Sequence, residues 1–382
     1  MRIAAFNVEN LFDRAKVFNA GSPGEANPLQ NILDANAELN GLFEKPNYTA
    51  ANKARMLVLF EELGLLNSSE SKFAWLRRIR GKIIRRPRDR TLPREIVASG
   101  RDDWIGWVEL KTEPVDEIAM ELTARVLFDS GADVIGVVEA ENRVVLKRFQ
   151  TFMSDKFGVP ERFEHVMLID GNDKRGIDVA LASTSDFPIG QMRSHVDEVK
   201  DGKQVFSRDC PEFETTTPSN KTIVVLVNHF KSKFGGDSPS AKAKRKGQSE
   251  AVAGYYERLI ADGFENVAVL GDFNDLSDSD PLKPLMDTTL RDVSEHQKFT
   301  DFEFNANNGH QGIGTYNLGN DNNKIDYLML SPNLFGKVTN AGLFRKGAWP
   351  GVQPKRWEVY PELTKQHHAA SDHHLIFADI NI

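Results

Sequence analysis

Short runs of apolar, largely β-branched residues recur along this chain, each bounded by Gly, Asp, Asn or Pro. They are ADVIGVVE at 132–139, IDVALAS from Ile177, TIVVLVNHF from Thr222, NVAVLGDFN from Asn266, KIDYLMLSP from Lys324 and HHLIFADI near the end. Runs of this length and composition predict strands. Between them, EIAMELTARVLFDSG puts Ile118, Leu122 and Val126 on one stripe and stops at Gly131, and SEAVAGYYERLIADG stops at Gly263, so both read as helices. The class is therefore α/β. Several runs lack clean alternation, which predicts strands covered on both faces by helices or by a second sheet. A polar residue stands at or near the end of each run, so these residues are expected to converge at one rim, where α/β proteins bind ligands.

With 382 residues the chain can bury a large core without covalent staples. Cys210 is the only cysteine, which excludes an intramolecular disulfide and favours the cytoplasm. It sits within FSRDCPEF and reads as packing rather than a catalytic thiol, because no dedicated base is assignable to it. Met1 leads directly into RIAAFNVENLF, without a basic stretch followed by an apolar one, and no run reaches the length of a membrane span. A soluble, cytoplasmic protein is expected. A net charge of -7 argues against a nucleic-acid binder that uses its whole surface, and leaves local patches open.

Residues from about 20 to 114 break the rhythm and read as a largely helical insertion within a single domain spanning 1–382. Inside it, the segment from Lys72 to Arg94 carries ten Lys or Arg against one acid, Asp89. Phe73, Leu76, Ile79 and Ile83 fall at helical spacing, which predicts a basic amphipathic helix. Such a stretch suits nucleic-acid phosphates, an anionic membrane, an acidic partner, or simply solvent.

In GDFND, Gly271 closes an apolar strand, and Asp272 and Asn274, two positions apart, project to one side of the strand end. A carboxylate there can take a proton from water while an amide orients phosphate. Glu139 closes DVIGVV and Asn7 ends the first strand. Oxygen ligands of this kind suit Mg²⁺ or Mn²⁺, although each residue alone is an ordinary strand-end group. His229 and His373 are candidates to orient water or carry a proton, and Asp326 and Asp178 are strand-end acids able to fix an imidazole ring. His165, His195, His296, His310, His367 and His368 read as packing or surface residues, as does His374, which should face away from His373.

The order NVENLF, DVIGVVEAEN, RGIDVALAS, FSRDC, VNHFKSK, VLGDFND, KIDYLMLSP, SDHHLIF resembles the endonuclease/exonuclease/phosphatase superfamily over nearly the whole chain outside the insertion. The resemblance implies a four-layer sandwich, two packed mixed sheets between outer helices. It also implies a divalent-metal-dependent phosphodiesterase using Mg²⁺ or Mn²⁺ and in-line attack by water, with no covalent intermediate. On that resemblance Asn7 and Glu139 would hold the metal, with Asp372 close enough to ligate it or order its water. His373, fixed by Asp326, would orient or deprotonate the nucleophilic water, and Asp272 with Asn274 would complete its setting. His229 would act near the leaving group with Asp178 as its orienting acid, and Arg208, Lys231 on the same strand face as His229, and Arg175 would contact phosphate.

HFKSK and KAKRKGQSEAV are most similar to bacterial nuclease-type members, so nucleic acid, DNA before RNA, is the expected substrate. Two alternatives stay open: a phosphodiesterase or phosphatase acting on lipid head groups or small phosphoesters, and a noncatalytic module that binds nucleic acid or a partner. The second would be expected to have lost at least one of Glu139, Asp272, Asn274 or His373. All four are present.

Overall fold

The computed structural model describes residues 1–9, 11, 13–15, 26–89, 91–114, 116–173, 176–233, 238–300, 302–303, 311–352 and 355–382. The chain divides into two compact units, Met1–Phe12 with Val115–Ile382, and Asp13–Pro114.

The larger unit holds two mixed sheets. The first has seven strands, in the order Phe299–Thr300, Val338–Phe344, Leu375–Ile380, Arg2–Asn7, Val134–Ala140, Asp178–Ser183 and His165–Leu168. The second has six: Ile189–Arg193, Glu212–Thr216, Thr222–His229, Val267–Asp272, Asp326–Leu330 and Arg291–Asp292. One buried cluster fills the space between them, with Ile3, Val134, Val138 and Leu181 from the first sheet facing Val225, Val227, Leu270 and Leu328 from the second. The outer face of the first sheet packs Ile135, Val137 and Ala180 against Leu122 and Val126 of helix Glu117–Asp129 and Leu146 and Phe149 of helix Arg143–Phe157. The outer face of the second packs Val224, Leu226 and Val269 against Val252, Tyr256 and Leu259 of helix Pro239–Ala261. This is the expected four-layer α/β sandwich, and central strands buried on both faces explain the runs without alternation.

Helix ends follow local chemistry. Asp116 and Asn142 accept backbone N–H bonds from Ile118 and Val145 at their helix starts, and Ser238 caps a helix with Pro239 at its first position. Gly131 and Gly158, both with positive φ, follow two helix ends. Among the described residues no helix is long and apolar enough to cross a membrane.

The Asp13–Pro114 unit has its own core, in which Leu39, Phe43, Met56, Leu59 and Phe60 meet Trp104 and Val108. Its first part is helical, Ala26–Phe43 and Ala50–Glu62, the second helix opening on a capping box of Thr49 and Asn52. The remainder corrects the helical expectation for the basic segment. Ala74–Gly81 is a strand paired antiparallel with Trp104–Leu110. Alternation wins over helical spacing here: Ala74 is buried and Leu76 packs against the core, while Arg77 faces outward and Ile79, at an irregularity in the pairing, is 70% exposed.

Gly136 of the first sheet lies against Leu270 of the second, where an added Cβ would lie 2.2 Å from Leu270 Cδ1. Gly136→Val should therefore destabilise the unit by about 1–3 kcal/mol through overpacking. The double variant Gly136→Val/Leu270→Ala should recover part of the loss in denaturant unfolding. Equal stability of Gly136→Val and wild type would contradict the packing described.

Candidate active site

Strand register assembles the site. Thr222–His229 and Val267–Asp272 run parallel with His229 opposite Asp272, and Asp272 is in turn opposite Asp326 on the antiparallel strand. Three chemistry-bearing residues thus stand side by side at one end of adjacent interior strands of the second sheet. In the first sheet Asn7 pairs with Val138, next to Glu139. The end of Arg2–Asn7 is tied to the last strand's approach by Ser371, whose hydroxyl donates to the Asn7 carbonyl (2.8 Å) and accepts the His373 N–H (3.0 Å).

These ends meet. The Asn7 Nδ2 lies 3.4 Å from Asp272 Oδ2 and 3.5 Å from His373 Nε2. His373 Nδ1 and Asp326 Oδ2 are 2.8 Å apart. Asn274 donates its backbone N–H to Asp272 Oδ1 (2.8 Å) and its carboxamide to Asp272 Oδ2 (3.0 Å), so the two residues share one side as GDFND predicts. His229 Nε2 lies 3.6 Å from Asp272 Oδ2 and 3.7 Å from Glu139 Oε1, and Asp372 Oδ1 is 3.8 Å from His373 Nε2. Asn7, His229, Asp272, Asn274, Asp326 and His373 are all buried, whereas Glu139 and Asp372 are half-buried.

Backbone strain concentrates here. Six described non-glycine residues have positive φ, and Glu9, Glu139, Asn274 and Asn317 belong to this neighbourhood through sequence or hydrogen bonds. Such conformations persist where the surrounding structure over-determines them. Gly271, with φ +123°, is required for a second reason: an added Cβ would lie 2.1 Å from the Asn228 carbonyl oxygen.

The charges perturb one another. Burial would lower the His373 pKa, but the Asp326 charge and hydrogen bond, with Asp372 and Asp272, raise it well above the usual imidazole range. Burial and the neighbouring Asp326 charge raise the Asp272 carboxyl, against the opposing effects of His373 and the Asn274 N–H. His374, which lies just before the strand Leu375–Ile380, points elsewhere. Burial and the adjacent Arg345 guanidinium lower its pKa, and its Nε2 pairs with the Asn317 carbonyl.

Several expected site residues have partners that the sequence did not show. Asp178, expected to orient His229, accepts the Gly171 N–H at 2.8 Å, and the Glu139 and Asp272 carboxylates lie beside the His229 ring. Burial pushes the Asp178 carboxyl up to about 6. Arg208, expected on phosphate, is buried, with its guanidinium 3.0 Å from Asp173 and 3.5 Å from the Phe230 carbonyl. That carbonyl also receives Asn274 Nδ2 (3.2 Å), so Arg208 adjoins the centre through backbone. Lys231 lies beyond the strand, which ends at His229; the intervening Phe230 turns into the core and stacks on Phe273. Arg175 lies outside the described residues.

Sequence reasoning missed Ser371, Glu9 and Tyr316. Glu9 accepts the Asp372 N–H, and the half-buried Tyr316 ring lies 4.9 Å from His373. The Asp372 charge, then burial, raises the Tyr316 hydroxyl pKa. None of the three carries a distinctive motif, since their roles depend on pairing between distant segments.

The donor set can be tested against a divalent cation. Glu139, Asp372, Asp272 and the Asn7 carboxamide offer hard oxygens, and the buried Asp272 carboxyl, raised by burial and by the Asp326 and Glu139 charges, marks a place for positive charge. Asp272, Asp326 and His373 also present ligand atoms within 4.8 Å of one another, but the 2.8 Å hydrogen bond already engages His373 Nδ1 with Asp326. The oxygens around Glu139 are the better fit.

The Endonuclease/Exonuclease/phosphatase family matches residues 90–346, well over half of the chain. The chain belongs to that family, and the fold and site are those of a phosphoester hydrolase. Asn7, Asp372 and His373 lie outside the matched span; Asn7 joins it by pairing with Val138, and Asp372 and His373 through backbone contacts with Asn317 and Tyr316. Similar solved structures include a Bacteroides thetaiotaomicron mannosyl-6-phosphatase (14% identity, 69% of this chain and 92% of that one, TM-score 0.48). The human Nocturnin catalytic domain with bound sulfate is similar at 13% identity, over 69% and 86%, TM-score 0.48. A truncated Caenorhabditis elegans TDP2 is similar at 14%, over 68% and 90%, TM-score 0.42. No curated protein matches the sequence significantly.

Asp326→Asn should lower the His373 pKa, because it removes the nearest negative charge. Turnover should fall by about 10–100-fold, the usual effect of losing an imidazole's orienting partner. NMR titration of the metal-free protein reads the first effect, and an unmoved His373 pKa would refute the pairing.

Proposed function

We propose that the chain is a divalent-metal-dependent phosphodiesterase that hydrolyses nucleic acid, DNA before RNA, by in-line attack of water. The observation that carries this reading is the convergence of Asn7, Glu139, His229, Asp272, Asn274, Asp326 and His373 on one centre. A noncatalytic module has no need to keep this set complete.

Asp272 is the carboxylate placed to take the proton of the attacking water. Burial and its acidic neighbours raise its basicity, and the Asn274 amide fixes both its oxygens. His373, held by Asp326, presents Nε2 to the same space and, when charged, stabilises negative charge on the nonbridging phosphate oxygens. His229, between Glu139 and Asp272, is placed to protonate or stabilise the departing oxygen. Asn7 and Glu139, with Asp372 near, are the residues that would hold Mg²⁺ or Mn²⁺, which supplies charge neutralisation on the phosphodiester. No side chain here is set up as a nucleophile, and Cys210 is buried with its thiol pKa pushed well up by burial.

Nucleic acid is favoured over a small phosphoester by the outward face of the paired strands Ala74–Gly81 and Trp104–Leu110. Arg77 lies directly opposite Trp107, and its guanidinium pairs with the Glu109 carboxylate at 2.8 Å and sits 4.4 Å over the Trp75 ring, while Arg78, Arg80 and Lys82 are exposed nearby. Cations interleaved with half-exposed indoles on a sheet suit phosphates and stacked bases.

The test is cleavage of supercoiled plasmid, linear duplex, single-stranded DNA and RNA with Mg²⁺, Mn²⁺ or EDTA, using wild type and Asp272→Ala. Metal-dependent cleavage that falls by orders of magnitude in the variant is expected. Hydrolysis of small phosphoesters with every nucleic acid left intact would overturn the substrate assignment.

A further inference from the structure

Away from the catalytic centre, Asp116, His367 and His368 each present a ligand atom, all within 4.8 Å of one another. Asp116 caps helix Glu117–Asp129, and its Oδ1 is fixed by the Ile118 N–H at 2.9 Å, leaving the other oxygen available. The histidines lie on the single-turn helix Gln366–His368, their ring centroids 4.5 Å apart and nearly perpendicular. His368 is buried, and its Nδ1 lies 3.2 Å from the Thr364 hydroxyl, a partner that leaves Nε2 as the ligating nitrogen. His367 and Asp116 are exposed.

We propose that these three residues form a second metal site, for Zn²⁺ or a similar borderline cation, distinct from the oxygen-rich catalytic centre. Two imidazoles and one carboxylate form a donor set that zinc accepts, with water completing the shell, and one that Mg²⁺ disfavours. Donors about 2 Å from a tetrahedral ion lie roughly 3.3 Å apart, so the set closes by rotation of the two exposed side chains.

The site completes an existing seam. Tyr360 donates to Asp129 (2.8 Å), Arg125 pairs with Glu362 (2.8 Å), and Thr123 donates to the Ala370 carbonyl (2.7 Å). All three join helix Glu117–Asp129 to the segment that runs into Ser371, Asp372 and His373. A metal at Asp116 would fasten the remaining part of that segment between Glu362 and Ala370, and so would position the catalytic end of the chain rather than act on substrate.

The test uses the full chain, stripped with chelator and held in excess Mg²⁺, titrated with Zn²⁺ by calorimetry and with Co²⁺ by visible absorption. Wild type and Glu139→Gln should each bind Zn²⁺ at this site, with a Co²⁺ band of a low-coordinate nitrogen-ligated ion. His367→Ala and Asp116→Ala should bind at least about tenfold more weakly and lose the band. Circular dichroism and unfolding of the metal-free variants check that both still fold. Binding unchanged in His367→Ala, binding abolished in Glu139→Gln, or no binding by wild type would each overturn the proposal.

Discussion

Gly271 lies against the Asn228 carbonyl with no room for a Cβ, and that backbone approach underlies the candidate active site. It lets Val267–Asp272 pair tightly beside Thr222–His229, so that His229, Asp272 and Asp326 stand in one row. On the other sheet, Gly136 admits Leu270 and holds the two layers close enough for Asn7 to reach Asp272 and His373. Apolar packing between the sheets provides the stabilisation, and the missing side chains of two glycines set where the polar groups meet.

Proximity then becomes electrostatics. Burial and the Asp326 and Glu139 charges raise the pKa of Asp272, while the Asp326 charge and hydrogen bond, with Asp372 and Asp272, raise that of His373 against the opposing effect of burial. A divalent cation held there would relieve the same crowding without protonating the groups proposed as bases. Positive φ at Glu139 and Asn274 belongs to the same pattern: local strain is held by the sandwich at residues that chemistry requires in place.

Much of this was legible in the sequence, for physical reasons. Strand runs such as VIGVV and VAVLG announce burial on both faces, and a polar residue ending such a run has to emerge at the rim, so Glu139 and Asp272 could be read directly. The basic segment was misread because Phe73, Leu76, Ile79 and Ile83 fit helical spacing, while its pairing partner Trp104–Leu110 lies too far along the chain for local pattern to reveal. The other partners of Arg208 and Asp178 could not be read from the sequence for a related reason. Sequence places them near the site, but whether a guanidinium meets Asp173 or a phosphate, and a carboxylate meets an amide or an imidazole, is decided by loops packed from elsewhere. Ser371, Glu9 and Tyr316 left no trace at all, since hydroxyls and acids of this kind are common in loops.

The central claim is that this carboxylate-rich centre is built around a divalent cation held at Glu139 and Asn7. Anomalous diffraction from crystals soaked in Mn²⁺ tests it most directly. The account predicts a peak beside the Glu139 carboxylate and the Asn7 carboxamide oxygen, lost in Glu139→Gln. A peak ligated by Asp326 and His373 with none at Glu139, or one unchanged in Glu139→Gln, would contradict it.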